Sequence, residues 1–369
     1  MNKTVLVINL GWEQEPLIRE VASHGYRIVG VNADENWNHN LPVDEVHICD
    51  YRNIHQLLHI AHMVNPDAVI SDECDYSYYA TAIICEELSL PGAKLSAAQL
   101  TTNKWLQRKQ LLDSGLLQPR FYLCQDLDKV YMAAQEIGFP IILKPVDSRG
   151  SFGVSRVDNI DTLKAAYIEA LVNSYSRLVL VEEFVHGVHI TIDGYCFPES
   201  GHQSLTLATK SMLGGDRQVA MDIVYPGDVS ASLFEKAINN NDAVVRELGL
   251  TFGMTHVEYM ITESNDIYLI EAANRGGGVH TSAKIVPAVT GIDLTKQLVF
   301  DATAKKQDLY REKKQTEQRS VILSFVSFPP GKVSSVKGVE ECKALPGIES
   351  VRLQINQGDE ISSVTTDGN

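Results

Sequence analysis

The sequence predicts an α/β layer followed by a larger α+β body, and three observations carry that prediction. Strand and helix signals alternate through the first ninety residues. From about residue 178 onward, strands separated by turn residues dominate instead. The length of 369 residues exceeds what one compact core usually holds, so two or three subdomains are expected.

Residues 5–10 form a near-continuous apolar run, the pattern of a strand buried on both faces of a parallel sheet. A helix is predicted over 16–24, stopped by Gly25, and a second strand over 27–31. A third strand lies near 46–49, a helix over 53–64, a strand at 68–70 and a helix over 79–88. Together they read as a Rossmann-like layer. Its first strand–helix turn, running from Asn9 to Pro16, holds one glycine and two acids, Glu13 and Glu15. The missing Gly-x-Gly-x-x-Gly removes the usual case for a dinucleotide oxidoreductase.

Past a boundary near residue 95, a helix is predicted over 97–113, with Ser96 as its N-cap and Gly115 beyond its end. A helix over 129–137, stopped by Gly138, leads into a strand at 140–145. The glycine-containing loop 147–153 returns into a strand at 154–157, followed by a helix over 162–172 and a strand at 178–184. Another strand follows His186 and Gly187 and ends at Phe197. The charged stretch 305–319 reads as a solvated helix or linker.

Apolar residues make up 44% and charged residues 21%, the balance of an ordinary globular chain. With 32 Lys and Arg against 47 Asp and Glu, the formal charge is −15, which repels nucleic-acid backbones and anionic lipid. A local basic pocket could still hold one small anion. The six cysteines, Cys49, Cys74, Cys85, Cys124, Cys196 and Cys342, form no CxxC pair and read as reduced, mostly buried thiols. No signal-peptide core or membrane-length apolar run occurs, and a cytoplasmic location is expected.

The most informative chemistry is a pair of glutamates. If Thr262 faces Ile267 across the turn 263–266, antiparallel register puts Glu258 opposite Glu271. Two carboxylates so placed repel unless a proton or cation lies between them, and an oxygen-ligated Mg²⁺ resolves the repulsion. A one-residue slip, or two solvated glutamates on an open face, is the competing reading. After Glu271 come Asn274, Arg275 and three glycines, a set suited to close approach by a phosphate or carboxylate, or a plain glycine-rich turn. Lys144 ends a buried strand, where an unpaired ammonium is costly, so it is expected to meet an anion. The loop beyond it offers backbone N–H groups and Arg149.

These segments, taken in order, resemble the motif set of the ATP-grasp superfamily. They are Asn103-Lys104-Trp105-Leu106, the strand ending Lys144-Pro145, the loop through Gly153-Val154, and Val181-Glu182-Glu183-Phe184-Val185-His186-Gly187. His256-Val257-Glu258, Ile270-Glu271-Ala272-Ala273-Asn274-Arg275 and Thr290-Gly291-Ile292-Asp293-Leu294 complete the set. Within the superfamily the chain is similar to carboxylate–amine ligases such as bacterial L-amino-acid ligases, and to biotin carboxylase and carbamoyl-phosphate synthetase domains.

The resemblance implies a Rossmann-like pre-ATP-grasp domain at 1–95 and an ATP-grasp domain at 96–320 with a small lid at about 120–185. A β-rich C-terminal segment, 321–369, follows and resembles a short or truncated form. It also implies ATP and Mg²⁺, with Mn²⁺ as an alternative metal. Lys104 and Lys144 would meet the ATP phosphates, and a loop including Ser148, Gly150, Ser151 and Gly153 would cover them. Glu182, Glu183 and Val185 would read adenine, and His189, standing where many members have a ribose-binding glutamate, would meet the ribose or be a satisfied strand histidine. Glu258 and Glu271 would hold the metal, with Asn274 a further candidate, although Ala273 occupies the position where the family commonly has its asparagine. Arg275 would contact the substrate anion.

The activity implied is ligation, in which ATP activates a carboxylate as an acyl phosphate and an amine displaces the phosphate. The alternatives are bicarbonate activation and an ATP-binding module without turnover. Lys210, followed by the polar stretch 211–217, is a candidate catalytic residue on a substrate loop or part of an exposed hairpin. His280 could face the same pocket, and Asp72, Glu73 and Asp75 could read a substrate amine or cap a helix. His55, His59 and His62 follow helical spacing, as a metal face or a surface stripe. The expected partners are small carboxylate and amine substrates, with no nucleic acid, no membrane and a homodimer as a candidate assembly.

Overall fold

A computed structural model describes residues 3–213, 219–312 and 319–362. Four parallel strands, β1 (Thr4–Ile8), β2 (Arg27–Asn32), β3 (Glu45–Ile48) and β4 (Ala68–Ile70), pair in the order β3-β2-β1-β4. Helix α1 (Glu15–Ser23) joins β1 to β2, α2 (Ile54–Val64) joins β3 to β4, and α3 (Asp75–Leu88) follows β4. Alternate side chains of β1 serve two cores. Leu6 and Ile8 pack with Leu57, Ile60 and Ile84, whereas Val5 and Val7 pack with Leu17 and Val21 and with Leu294 and Leu298 from the body. Burial on both faces is why this strand reads as continuous rather than alternating.

The helix expected over 97–113 is two helices, α4 (Leu95–Thr101) and α5 (Lys104–Gln110). Ser96 lies inside α4, and Lys94 occupies its cap position. The break has a local cause. The hydroxyls of Thr101 and Thr102 bond back to the carbonyls of Ala97 and Ala98, and Asn103 leaves helical geometry to cap α5, accepting from Leu106 N. The freed Lys104 N–H donates to Val146 O at 2.8 Å, joining α5 to the next sheet.

That sheet comprises β5 (Phe121–Cys124), β6 (Ile141–Pro145), β7 (Ser155–Val157) and β8 (Val179–Glu183), antiparallel in the order β5-β8-β6-β7. Helices α6 (Leu127–Ile137) and α7 (Ile160–Val172) bury Val130, Ala134, Leu163 and Ala170 against Leu143 and Val181. Asp126 and Asn159 cap the two helices with their side chains.

The largest sheet has six antiparallel strands, β9 (Val188–Phe197), β10 (Gly201–Met212), β11 (Ala220–Tyr225), β12 (Gly253–Ile261), β13 (Ile267–Ala273) and β14 (Val321–Ser324). Their order is β13-β12-β9-β10-β11-β14. Helix α8 (Ala231–Glu247) packs Ala237, Val244 and Val245 on Ile190, Leu207, Val257 and Tyr259. Beyond β14 the described chain holds a helix, Val339–Lys343, and two two-residue strands, Gly331–Lys332 and Glu360–Ile361. The expected strand-rich character is thus confined to short ribbons there. Residues 313–318, within the charged stretch, lie outside the described residues. Among those described, no helix is long and apolar enough to cross a membrane.

One buried acid gives the fold a pH dependence. Burial pushes Asp301 up to about 6, although Tyr195 and Gln297 donate to its carboxylate. An unfolded aspartate titrates near 3.9, so the folded chain holds this proton more tightly. Its stabilising contribution is complete below about pH 4 and is lost as the pH rises through about 6. Thermal unfolding is therefore expected to show this component between about pH 4 and 6, and Asp301→Asn is expected to remove it. A variant that keeps the parental pH profile contradicts the assignment.

Candidate functional site

Along β12 the side chains of Val257, Tyr259 and Ile261 are buried, while His256 and Glu258 alternate to the other face. Glu258 does pair with Glu271. The route differs from the expected one. Ile261, not Thr262, faces Ile267, so the loop is one residue longer, and a bulge between Glu258 and Tyr259 restores the offset. Ile270 is the extra residue on β13.

Each of the two glutamates meets a lysine. Lys104 Nζ lies 2.8 Å from Glu271 and donates to Ser148 O at 2.7 Å. Burial opposes the charge on Lys104, and Glu271 overrides it, holding the ammonium above its ordinary range. Lys210, on β10, donates to Glu258, and His189 Nε2 lies 3.4 Å from the same carboxylate. Burial opposes ionisation of Glu258, but Lys210, His189 and His256 hold it well below the usual carboxylate range. Behind it, His256 Nδ1 meets Asp193 at 2.7 Å, and Tyr225 donates to the other Asp193 oxygen at 2.7 Å. His189 thus stands beside Glu258, with its Nε2 buried and without a hydrogen-bond partner among the described residues.

The face of α5 organises a second charged group. Arg108, with no exposed surface, donates to Glu182 at 2.8 Å, and Lys144 Nζ meets the other Glu182 oxygen at 2.7 Å. Glu182 therefore spends its carboxylate between two cations rather than on a nucleobase. Burial opposes its charge, but Arg108 and Lys144 hold it below the usual range. Burial also lowers Lys144, against the pull of Glu182. Arg108 Nη2 further donates to Ile270 O at 2.7 Å, and the Gln107 amide brackets Ala272, with contacts of 2.8 and 2.9 Å to its carbonyl and N–H. Lys104, Gln107 and Arg108 thus hold three consecutive residues of β13. Sequence reading missed Gln107 and Arg108, although their spacing from Lys104 places all three on one helical face.

The loop 147–153 stands above these lysines. Asp147 fixes its base by accepting from Ser174 Oγ, Tyr175 N and Ser176 N. Gly150, Ser151 and Gly153 all have positive φ, and a Cβ on Gly153 would lie 2.9 Å from both Asn173 and Pro145. Ser148 Oγ donates to Phe152 O at 2.9 Å. Arg149 reaches the first layer, where it donates to Cys74 Sγ at 3.1 Å and lies over the Tyr76 ring. Glu183 donates its N–H to Arg120 O and accepts from Arg120 Nε, and Val185 follows the end of β8, partly buried.

Arg275 is clamped by Asp75, through Nε at 2.6 Å and Nη2 at 2.9 Å, and donates a third bond to Gly276 O. Two of its five N–H donors have no partner among the described residues. Asn274 is not placed to ligate a metal. Its Oδ1 accepts from Tyr78, and its Nδ2 donates to Phe252 O and Met254 O, so the amide is committed to holding β12 and α3 together. A small cavity of about 30 Å³ behind Asp72 and Arg275 has room for water. His55, His59 and His62 form an exposed stripe, with His62 3.2 Å from Glu87. Residues 214–218, within the expected substrate loop after Lys210, lie outside the described residues.

Among the described residues no group of three or more His, Cys, Asp or Glu side chains is placed to hold a metal. Two facing carboxylates nevertheless suit Mg²⁺, which usually takes one or two carboxylates and completes its shell with water and substrate phosphate. The donor set therefore fits a metal–nucleotide complex rather than a bare ion.

Residues 137–283 match the ATP-grasp domain, and residues 324–369 match L-amino acid ligase C-terminal domain 2. Alanine–anticapsin ligase of Bacillus subtilis is 25% identical over 303 residues, covering 74% of this chain and 60% of that protein. D-alanine–D-alanine ligase B of Chromobacterium violaceum is 27% identical over 208 residues, covering 55% and 66%. The chain thus spans less than two thirds of the length of these curated relatives. The crystal structure of an L-amino acid ligase from Bacillus licheniformis superposes with a TM-score of 0.83 at 21% identity, over 98% of this chain and 89% of that one. At that identity the likeness establishes the fold.

Proposed function

From the premise that this chain carries an ATP-grasp domain, we propose that it is an ATP- and Mg²⁺-dependent ligase that joins a small carboxylate, an amino acid in the first instance, to an amine. The observation that carries the reading is the Glu258–Glu271 pair, each carboxylate matched by a lysine, with Arg275 four residues beyond. Bound Mg²⁺, held by Glu258 and Glu271, would neutralise phosphate charge. Lys104 and Lys144 would meet the phosphates, with Lys144 aimed by Glu182 and Arg108. The loop bearing Ser148, Gly150, Ser151 and Gly153 would cover the phosphates, supported by the positive φ values along it. Glu183 and Val185 would offer backbone groups to adenine.

The chemistry then balances in two displacements. A carboxylate oxygen attacks the γ-phosphorus and ADP leaves, giving an acyl phosphate. The amine nitrogen attacks its carbonyl carbon, inorganic phosphate leaves with the bonding pair, and the nitrogen releases a proton. The two uncommitted N–H groups of Arg275 would grip the carboxylate and then the acyl phosphate, and Lys210 would keep Glu258 ionised. Positioning and charge neutralisation do the work, as in phosphoryl transfer generally.

Hydroxylamine trapping tests this reading. With ATP, Mg²⁺ and a panel of amino acids, hydroxamate and ADP are expected for at least one carboxylate. No hydroxamate and no ADP with any carboxylate overturns the ligase reading, and ADP formation that responds to bicarbonate alone replaces it with bicarbonate activation.

A further inference from the structure

Three acids follow β4, and the fold spends two of them. Asp72 accepts from Gly276 N and Glu73 N through one oxygen, at 2.7 and 2.8 Å, and from Ser282 Oγ through the other at 2.9 Å. It pins the glycine loop 276–278. Asp75 is the bidentate partner of Arg275. Glu73 is different. It is 7% exposed, its Oε2 accepts from His280 N at 3.0 Å, and its Oε1 has no hydrogen-bond partner among the described residues. A buried carboxylate oxygen left without a donor is costly, so the site is incomplete as it stands.

The surroundings specify what completes it. Burial, with Asp72 and Glu13 adding negative charge, pushes the Glu73 carboxyl well above the usual carboxylate range; the His280 N–H and Arg275 oppose this, and a bound cation would restore its charge. The Trp12 and His280 rings lie 4.8 Å apart and form a wall, with His280 Nε2 3.2 Å from Trp12 O. The Arg352 guanidinium covers the Trp12 ring at 3.6 Å. A Cβ built on Gly278 would meet nothing within 4 Å among the described residues, so the loop that leads to His280 borders open space there. A divalent cation needs several oxygen ligands, and Asp72 has none to spare. One open carboxylate oxygen in a negative surround suits an N–H donor carrying positive charge.

We propose that Glu73 Oε1 receives the ammonium group of an amino-acid substrate, in a subsite bounded by Trp12, Gly278 and His280 beside Arg275. The proposal rests on the ligase reading for its ligand. An α-amino acid carries an ammonium and a carboxylate a few bonds apart, matching Glu73 on one side and Arg275 on the other.

Calorimetric binding of each proteinogenic L-amino acid to the full chain, in wild-type and Glu73→Gln forms, tests it. At least one amino acid is expected to bind the wild type. Glu73→Gln is expected to weaken that binding on the order of 10- to 100-fold, the effect of losing a charged partner to a buried donor. The des-amino counterpart of the same acid is expected to bind both forms weakly and alike. Equal binding to both proteins, no binding of any amino acid, or equal affinity of the wild type for the amino and des-amino acids overturns the subsite. The last comparison needs no variant, so a Glu73→Gln protein that failed to fold would leave the proposal testable. Amino-acid binding that depends on Glu73 without hydroxamate or ADP formation overturns the ligase reading and leaves the subsite standing. Turnover that Glu73→Gln does not alter does the reverse.

Discussion

Glu271→Gln is expected to lower ADP formation about 10³-fold, the scale on which charge stabilisation in a phosphoryl-transfer site operates. The substitution keeps the shape of the side chain and the Glu258–Glu271 pairing of the strands. It removes one of two facing charges and leaves Lys104, buried at 8% exposure, without its carboxylate. Turnover measured across a Mg²⁺ titration is the check. The expected signature is a collapse of kcat with a raised Mg²⁺ requirement, while thermal stability changes modestly because Glu271 is partly exposed. Unchanged turnover contradicts the assignment of this glutamate.

Glu182→Gln is expected to be the most destabilising single change at the site. Arg108, Glu182 and Lys144 are all buried, and Glu182 is the anion between the two cations. Losing one partner of such a group typically costs about 3–5 kcal/mol, because the remaining charge stays buried and uncompensated. For a chain of this size, that corresponds to a drop in Tm of roughly 10 °C. Combining Glu182→Gln with Arg108→Met is expected to recover part of the loss, since one stranded cation is removed as well. Thermal unfolding of the two variants measures this. A single variant within 2 °C or so of the parent, or a double variant showing simple additivity, contradicts the description of the group as coupled.

Much of this architecture is legible in the sequence because local patterns and tertiary packing agree. The strand at 68–70 is recovered to the residue, since its apolar run is short and bounded by turns. The Glu258–Glu271 pairing is legible for a less direct reason. The turn is one residue longer than the pattern implies, and the bulge at Ile270 compensates, a pair of deviations that only cross-strand and helix contacts define. The break between α4 and α5 was hidden because nothing in residues 97–113 forbids a continuous helix. It is imposed by Asn103 capping and by the Lys104 N–H bond to Val146. Asn274 looked like a ligand from its place after Glu271, yet its amide is consumed by groups from α3 and β12 that lie far away in sequence. The pairings Arg275–Asp75 and Arg108–Glu182 are equally non-local, and residue type alone does not announce them.

Under the proposed function, a carboxylate is activated on ATP as an acyl phosphate before the amine attacks. Transfer of an oxygen label tests it most directly. When the carboxylate substrate carries ¹⁸O in both oxygens, the inorganic phosphate released during amide formation is expected to carry ¹⁸O, with ADP as the nucleotide product. Unlabelled phosphate, or AMP and pyrophosphate in place of ADP and phosphate, would contradict it.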